Sequence, residues 1–120
     1  MARILVAEDE DSVRAFVARA LAAAGHDVTT VADGGAALEA IAADSYDLLL
    51  TDIVMPVMDG IALALKVSAE VPDLKILLMS GYAAERQRAH NLDALIADVV
   101  VKPFTLREIT AAVDAALNDK

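Results

Sequence analysis

Four acidic side chains in succession, Glu8-Asp9-Glu10-Asp11, follow the short apolar run Ile4-Leu5-Val6-Ala7, and a second run, Leu48-Leu49-Leu50-Thr51, stops at Asp52. Two more apolar runs end at other polar groups: Lys75-Ile76-Leu77-Leu78-Met79 leads to Ser80, and Asp98-Val99-Val100-Val101 leads to Lys102. Carboxylates with no His or Cys beside them offer oxygen alone, which favours a hard cation such as Mg²⁺. Two carboxylates about 4 Å apart repel by roughly 4 kcal/mol at an effective dielectric of about 20, so three together need compensation. Lys102 supplies one positive charge, and a divalent ion would supply two. With that compensation Asp52 is suited to attack a phosphoryl group, Lys102 and Mg²⁺ neutralising its equatorial oxygens and the Ser80 hydroxyl donating to one of them. Singly, Glu8 and Asp9 also suit a solvated acidic turn at a helix N-terminus, and Asp52 a loop acid or N-cap. Only a fold that brings them together separates the two readings.

The elements between these residues supply such a fold. Ile4 to Ala7, Asp27 to Val31, Tyr46 to Thr51, Lys75 to Met79 and Asp98 to Val101 read as strands, being short and rich in β-branched or leucine residues. Helical spacing of apolar residues runs from Asp11 or Ser12 to Gly25, from Asp33-Gly34 through Ile41, and from Ile61 to the stop at Pro72-Asp73. Thr105 caps a last helix with Leu106, Ile109, Val113, Ala116 and Leu117 on its inner face, and the stretch from Ala83 to Leu95 carries a weaker helix over Glu85 to His90. Five β-then-α units with short connections predict a parallel sheet covered by helices on both faces, a single three-layer α/β domain. Ligands of such sheets bind beyond the carboxyl ends of the strands, which is where Glu8, Asp9, Asp52, Ser80 and Lys102 fall.

Composition narrows the function further. The 120 residues suit one domain, and the formal charge of -9 opposes sequence-independent attachment to nucleic acid or anionic lipid. Zero cysteines exclude thiolate chemistry and disulfides. No export signal or membrane span is expected, so the predicted location is cytoplasmic.

The motifs Ile4-Leu5-Val6-Ala7-Glu8-Asp9-Glu10, Asp52 to Gly60 with its Met55-Pro56 and Asp59-Gly60, Ser80-Gly81-Tyr82-Ala83, and Lys102-Pro103-Phe104 stand in this order over nearly the whole chain. On these residues the chain resembles the receiver domain of two-component response regulators. The resemblance implies a flavodoxin-like, CheY-like (βα)5 fold with five parallel strands in the order 2-1-3-4-5. It implies that Asp52 accepts a phosphoryl group from a sensor histidine kinase or histidine phosphotransfer protein. Glu8, Asp9, Asp52 and the backbone carbonyl of Val54 would hold Mg²⁺, Lys102 would bind the phosphoryl group, and the Lys102-Pro103 bond is often cis in the family. Ser80 would be drawn toward the phosphoryl group, repacking strands four and five.

Four positions depart from, or extend, that pattern. Glu8 stands where Asp is usual, and its extra methylene suits a metal contact through water. Val99 takes the place of the aromatic switch of many receivers, which excludes a tyrosine switch there; Tyr82 is the alternative cover for the site, or else a half-buried loop aromatic. In the family pattern the positions of Val54 and Tyr82 flank the path of hydrolytic water, and neither is a base here, so the resemblance implies slow self-dephosphorylation. Ser80, Tyr82 and Val99 are thus the switch and output positions.

The chain stops at Lys120 after the last helix, so residues 1–120 are expected to act as one receiver domain without an output domain, signalling through a protein contact. Met79 to Ala83, Arg86, Arg88 to His90, Leu92 to Ile96 and Asp98 to Val100 resemble the CpdR-type single-domain regulators of alphaproteobacteria, which implies an adaptor role toward ClpX of the ClpXP protease. Other readings of the same fold are a phosphorelay carrier or a chemotaxis-type regulator. A Mg²⁺ phosphohydrolase with Asp52 as nucleophile is disfavoured, because such an enzyme expects an acid two residues later, where Val54 stands; no turnover of a separate substrate is expected.

Overall fold

A computed structural model describes residues 2–81, 89, 92 and 94–118 of the chain. In chain order the elements are β1 (Arg3–Ala7), α1 (Asp11–Ala23), β2 (Asp27–Val31), α2 (Gly34–Ala43), β3 (Leu48–Asp52), α3 (Gly60–Glu70), β4 (Lys75–Ser80), β5 (Asp98–Val101) and α4 (Leu106–Asn118). The strands form one parallel sheet in the order β2-β1-β3-β4-β5, as the resemblance implies. The helix expected over Glu85 to His90 falls outside the described residues.

The runs of small and branched side chains explain the three layers. Successive strand residues point to opposite faces, so every residue of β3 is buried, Leu48 and Leu50 on one side and Leu49 on the other. Leu5, Leu49, Ile76 and Leu78 meet Leu63, Ala64 and Val67 of α3 on one face. Ile4, Val6, Leu77 and Met79 meet Val17 and Leu21 of α1 and Ile109 and Val113 of α4 on the other.

Helix boundaries follow local chemistry. Asp33 and Asp59 cap α2 and α3, accepting from Ala36 N–H and Ala62 N–H, each at 2.8 Å. Gly25 (φ 97°) ends α1, where its N–H reaches the Ala22 carbonyl at 3.0 Å and the His26 N–H reaches Leu21 at 3.2 Å. A reciprocal capping box opens α4: Glu108 N–H donates to Thr105 Oγ1 at 3.0 Å, and Thr105 N–H to Glu108 Oε1 at 2.9 Å.

The third strand differs from its sequence reading by starting at Leu48 rather than Tyr46 and by including Asp52. Its pairing explains both ends. The β1 register begins at Ile4 with Leu48, whereas Asp47 turns its carboxylate to the Arg3 N–H at 2.8 Å and Tyr46 lies under the Arg3 guanidinium. At the far end Asp52 is still in register with Met79 of β4, and the Ile53 N–H donates to the Met79 carbonyl.

Candidate functional site

Glu8 and Asp9 follow β1, Asp52 ends β3, Ser80 ends β4, and Lys102 follows β5. The backbone carries each strand to the same rim. The Glu8 N–H bonds the Val31 carbonyl at 3.1 Å, and the Lys102 N–H bonds the Ser80 carbonyl at 2.7 Å, both continuing the ladders one residue past the strand. The peptide bond between Lys102 and Pro103 is cis.

Lys102 Nζ lies 2.7 Å from Glu8 Oε1 and 3.2 Å from Asp52 Oδ2. Glu8 is fully buried, and its second oxygen accepts the Glu10 N–H at 3.0 Å. Asp52 is buried, with Oδ1 accepting the Ile53 N–H at 2.9 Å. Burial pushes both carboxyls above the ordinary carboxylate range, against the opposing pull of Lys102. Burial also works against the Lys102 ammonium, but the hydrogen bond to Glu8 and the charge of Asp52 outweigh it and hold the lysine above its ordinary value.

Asp9 completes the set from the solvent side. One carboxylate oxygen each from Glu8, Asp9 and Asp52 lie within 4.8 Å of one another, the sole cluster of this kind among the described residues. With oxygen donors alone and anions crowded against one ammonium, the donor set fits Mg²⁺. Val54, more than half exposed, lines the groove above it with Asp9, Asp52, Lys102, Pro103 and Phe104, in a volume of about 640 Å³.

The sequence reading thus finds Glu8, Asp9, Asp52 and Lys102 together, with Ser80 buried one residue past the Met79 partner of Asp52. Val99 does not reach the groove: it is a half-buried residue of the edge strand β5, opposite Leu78. Tyr82 lies outside the described residues. Three features carried no clear signal in the sequence. Phe16 of α1 and Phe104 stack with ring centroids 6.4 Å apart, forming the apolar wall of the groove. Gly60 fits so closely that an added Cβ would stand 2.1 Å from the Asp52 carbonyl oxygen. Arg14 donates to the Glu8 carbonyl.

Comparison with known proteins agrees with this geometry. The family model for the response regulator receiver domain matches residues 4–114. The response regulator receiver protein CpdR of Brucella abortus is 42% identical over 117 residues, covering 98% of this chain and 98% of its own. The response regulator MprA of Mycobacterium ulcerans is 37% identical over 96% of this chain, which spans 50% of that protein's length. Among solved structures, a CheY-like receiver domain protein from Methanospirillum hungatei has a TM-score of 0.90 at 26% identity, covering 98% of this chain and 94% of its own. The response regulator TrrA of Thermotoga maritima, solved in complex with Mg²⁺-BeF, has a TM-score of 0.86 at 31% identity, covering 95% and 97%. No described helix is long and apolar enough to cross a membrane. Fold, acidic pocket and sequence relatives lead to one conclusion: the chain belongs to the response regulator receiver domain family.

Proposed function

We propose that this receiver domain takes a phosphoryl group on Asp52 from a phosphohistidine of a sensor kinase or histidine phosphotransfer protein. The observation that supports the reading best is the Lys102 ammonium held between Glu8 and Asp52, with the exposed Asp9 carboxylate beside them. A carboxylate oxygen of Asp52 forms the new O–P bond while the P–N bond of the donor breaks, the electron pair leaving with the imidazole. Mg²⁺, held by Asp9, Asp52 and the Val54 carbonyl, with Glu8 contacting it through water, would neutralise charge on the transferred group. Lys102 binds one phosphoryl oxygen and the Ser80 hydroxyl another, which draws Ser80 toward Asp52 and alters β4 and β5. The phosphoryl group carries about -1.5 to -2 charge in place of the carboxylate's own -1, a net gain of roughly -0.5 to -1 spread over three further oxygens, enough to repartition these contacts.

The chain works as one domain, residues 1–120, in the cytoplasm, and it turns over no separate substrate. Its output is a protein contact. The similarity to CpdR along nearly the whole of both chains supports an adaptor role toward ClpX, controlled by the state of Asp52.

Incubation with acetyl phosphate tests the acceptor role. One phosphoryl group per chain is expected by intact mass, dependent on Mg²⁺ and absent from Asp52→Asn. Continuous release of phosphate from phosphate esters would favour a hydrolase. Affinity capture from lysate with wild type and Asp52→Ala side by side tests the output: differential recovery of ClpX supports the adaptor, and recovery of kinase and phosphotransfer proteins alone refutes it.

A further inference from the structure

The N-terminus of α1 carries the acidic turn of the site, yet its N-cap residue, Glu10, makes no side-chain cap bond. Arg14, at the end of the first turn, reaches back instead. Its Nη1 donates to the Glu8 carbonyl oxygen at 2.9 Å, and its Nη2 meets Asp11 Oδ1 at 2.5 Å. The guanidinium therefore spans the turn, gripping the residue before Asp9 and a residue after it. The Glu10 N–H, bound to Glu8 Oε2, ties the same turn from inside. Between these anchors the Asp9 side chain makes no hydrogen bond or ion pair among the described residues, and it is exposed toward Asp52.

We propose that Arg14 is a positioning residue of the cation site: by bracing the backbone of Glu8 to Asp11 it holds the Asp9 carboxylate where an ion can bridge it to Asp52. The proposal rests on the reading that this cluster takes Mg²⁺. Its chemistry is specific to arginine. A planar guanidinium presents parallel N–H groups that satisfy a carbonyl and a carboxylate at once, while an ammonium on a flexible stem does not fix both. Bound to the Glu8 backbone and to Asp11 but to none of the three carboxylates of the cluster, Arg14 acts through the turn, as outer groups around metal sites commonly do.

A role in charge alone makes the opposite prediction, so the sign of the effect decides. Arg14 is a cation near a site for a cation. If its charge were all that mattered, its removal would strengthen Mg²⁺ binding, and a lysine in its place would leave binding unchanged. If it positions Asp9, both changes weaken binding.

The experiment titrates the full chain with Mg²⁺ alone, following the backbone amide resonances of Asp9 and Asp52 in wild type, Arg14→Gln, Arg14→Lys and Asp52→Asn. Both Arg14 variants are expected to bind Mg²⁺ about tenfold more weakly, the lower end of the range for outer groups at metal sites. Tighter binding by Arg14→Gln, or wild-type affinity in Arg14→Lys, overturns the proposal. Arg14→Lys retains an ion pair with Asp11 and keeps the test available where the glutamine variant loses the fold. Failure of the underlying reading shows separately: wild type would then not bind Mg²⁺, or Asp52→Asn would bind it equally well.

Discussion

Lys102 and Glu8, ninety-four positions apart in the chain, meet at 2.7 Å inside the fold, the lysine one-fifth exposed and the glutamate not at all. The pair joins the carboxyl end of the edge strand β5 to that of the interior strand β1, with β3 and β4 between them. It also makes the acidic site dependent on one ammonium.

Removing that ammonium leaves Glu8 buried beside Asp52 with no cation. Lys102→Ala is expected to lose roughly 3 kcal/mol of stability near neutral pH, the usual cost of stranding one member of a buried pair. Without Lys102 the glutamate binds a proton still more readily, so the loss should shrink as the pH falls into the carboxylate range. Urea unfolding at neutral and mildly acidic pH measures it; a loss independent of pH would argue against stranded Glu8 as the cause.

Asp52 and Glu8 both hold their protons more tightly than free carboxylates, because burial disfavours their charge. A folded-state value raised above the unfolded one gives stability that is complete below the ordinary carboxylate range and is lost as the pH rises through the raised value. Metal-free protein should therefore show a higher thermal midpoint on the mildly acidic side of neutrality. Mg²⁺ favours the ionised forms, so its stabilising effect should grow as the pH rises. Asp52→Asn should raise the metal-free midpoint and abolish most of the response to Mg²⁺. Calorimetry with and without Mg²⁺ across that range checks all three.

Gly60 touches the site through backbone rather than charge. An added Cβ would stand 2.1 Å from the Asp52 carbonyl oxygen and 2.9 Å from its carbon, both main-chain atoms of a central strand. The Gly60 N–H also bonds the Ile53 carbonyl at 2.7 Å, so the helix cannot withdraw without breaking it. Gly60→Ala should cost about 3 kcal/mol, at the upper end for overpacking. Chemical denaturation reads this directly, and a loss below about 1 kcal/mol would show that α3 shifts freely.

Val57 is a β-branched residue at φ 71°, and the Met58 N–H bonds the Pro56 carbonyl across it at 2.8 Å. A three-residue turn with positive φ is strained, and a branched side chain adds to the strain, roughly 1–2 kcal/mol against a cost of about 0.5–1 kcal/mol for a flexible glycine. Val57 recovers little by burial, being 83% exposed. Val57→Gly should therefore be more stable than wild type by about 0.5–1 kcal/mol. A lower thermal midpoint in that variant would refute the account.

Much of this was legible in the chain because parallel strands buried on both faces leave a plain pattern. Leu48-Leu49-Leu50-Thr51 admits few readings, and the polar residue that ends each such run must lie on the carboxyl rim. Asp33, where the second helix opens, and Thr105 are caps because their side chains satisfy the N–H groups a helix leaves open, which is local chemistry, whereas Asp59 reads in the sequence as a turn residue and its capping of α3 comes with the structure. Where β3 begins was less legible. Tyr46 and Asp47 have strand-like neighbours, but they are occupied by Arg3, which comes from the far end of the sequence.

The sequence by itself determined the parallel α/β alternation and the identity of the carboxylates, hydroxyl and ammonium at the strand ends, since these depend on periodicity and residue type. Tertiary structure decided how those groups share their charge. Only packing could bury Glu8 against Lys102 and leave Asp9 exposed, although the two acids are adjacent in the same acidic run. It alone set Arg14 against the Glu8 carbonyl, stacked Phe16 on Phe104 and pressed Gly60 onto Asp52. The physical reason is that burial and distance fix the strength of a charge, and both come from elements that meet only when the sheet has formed.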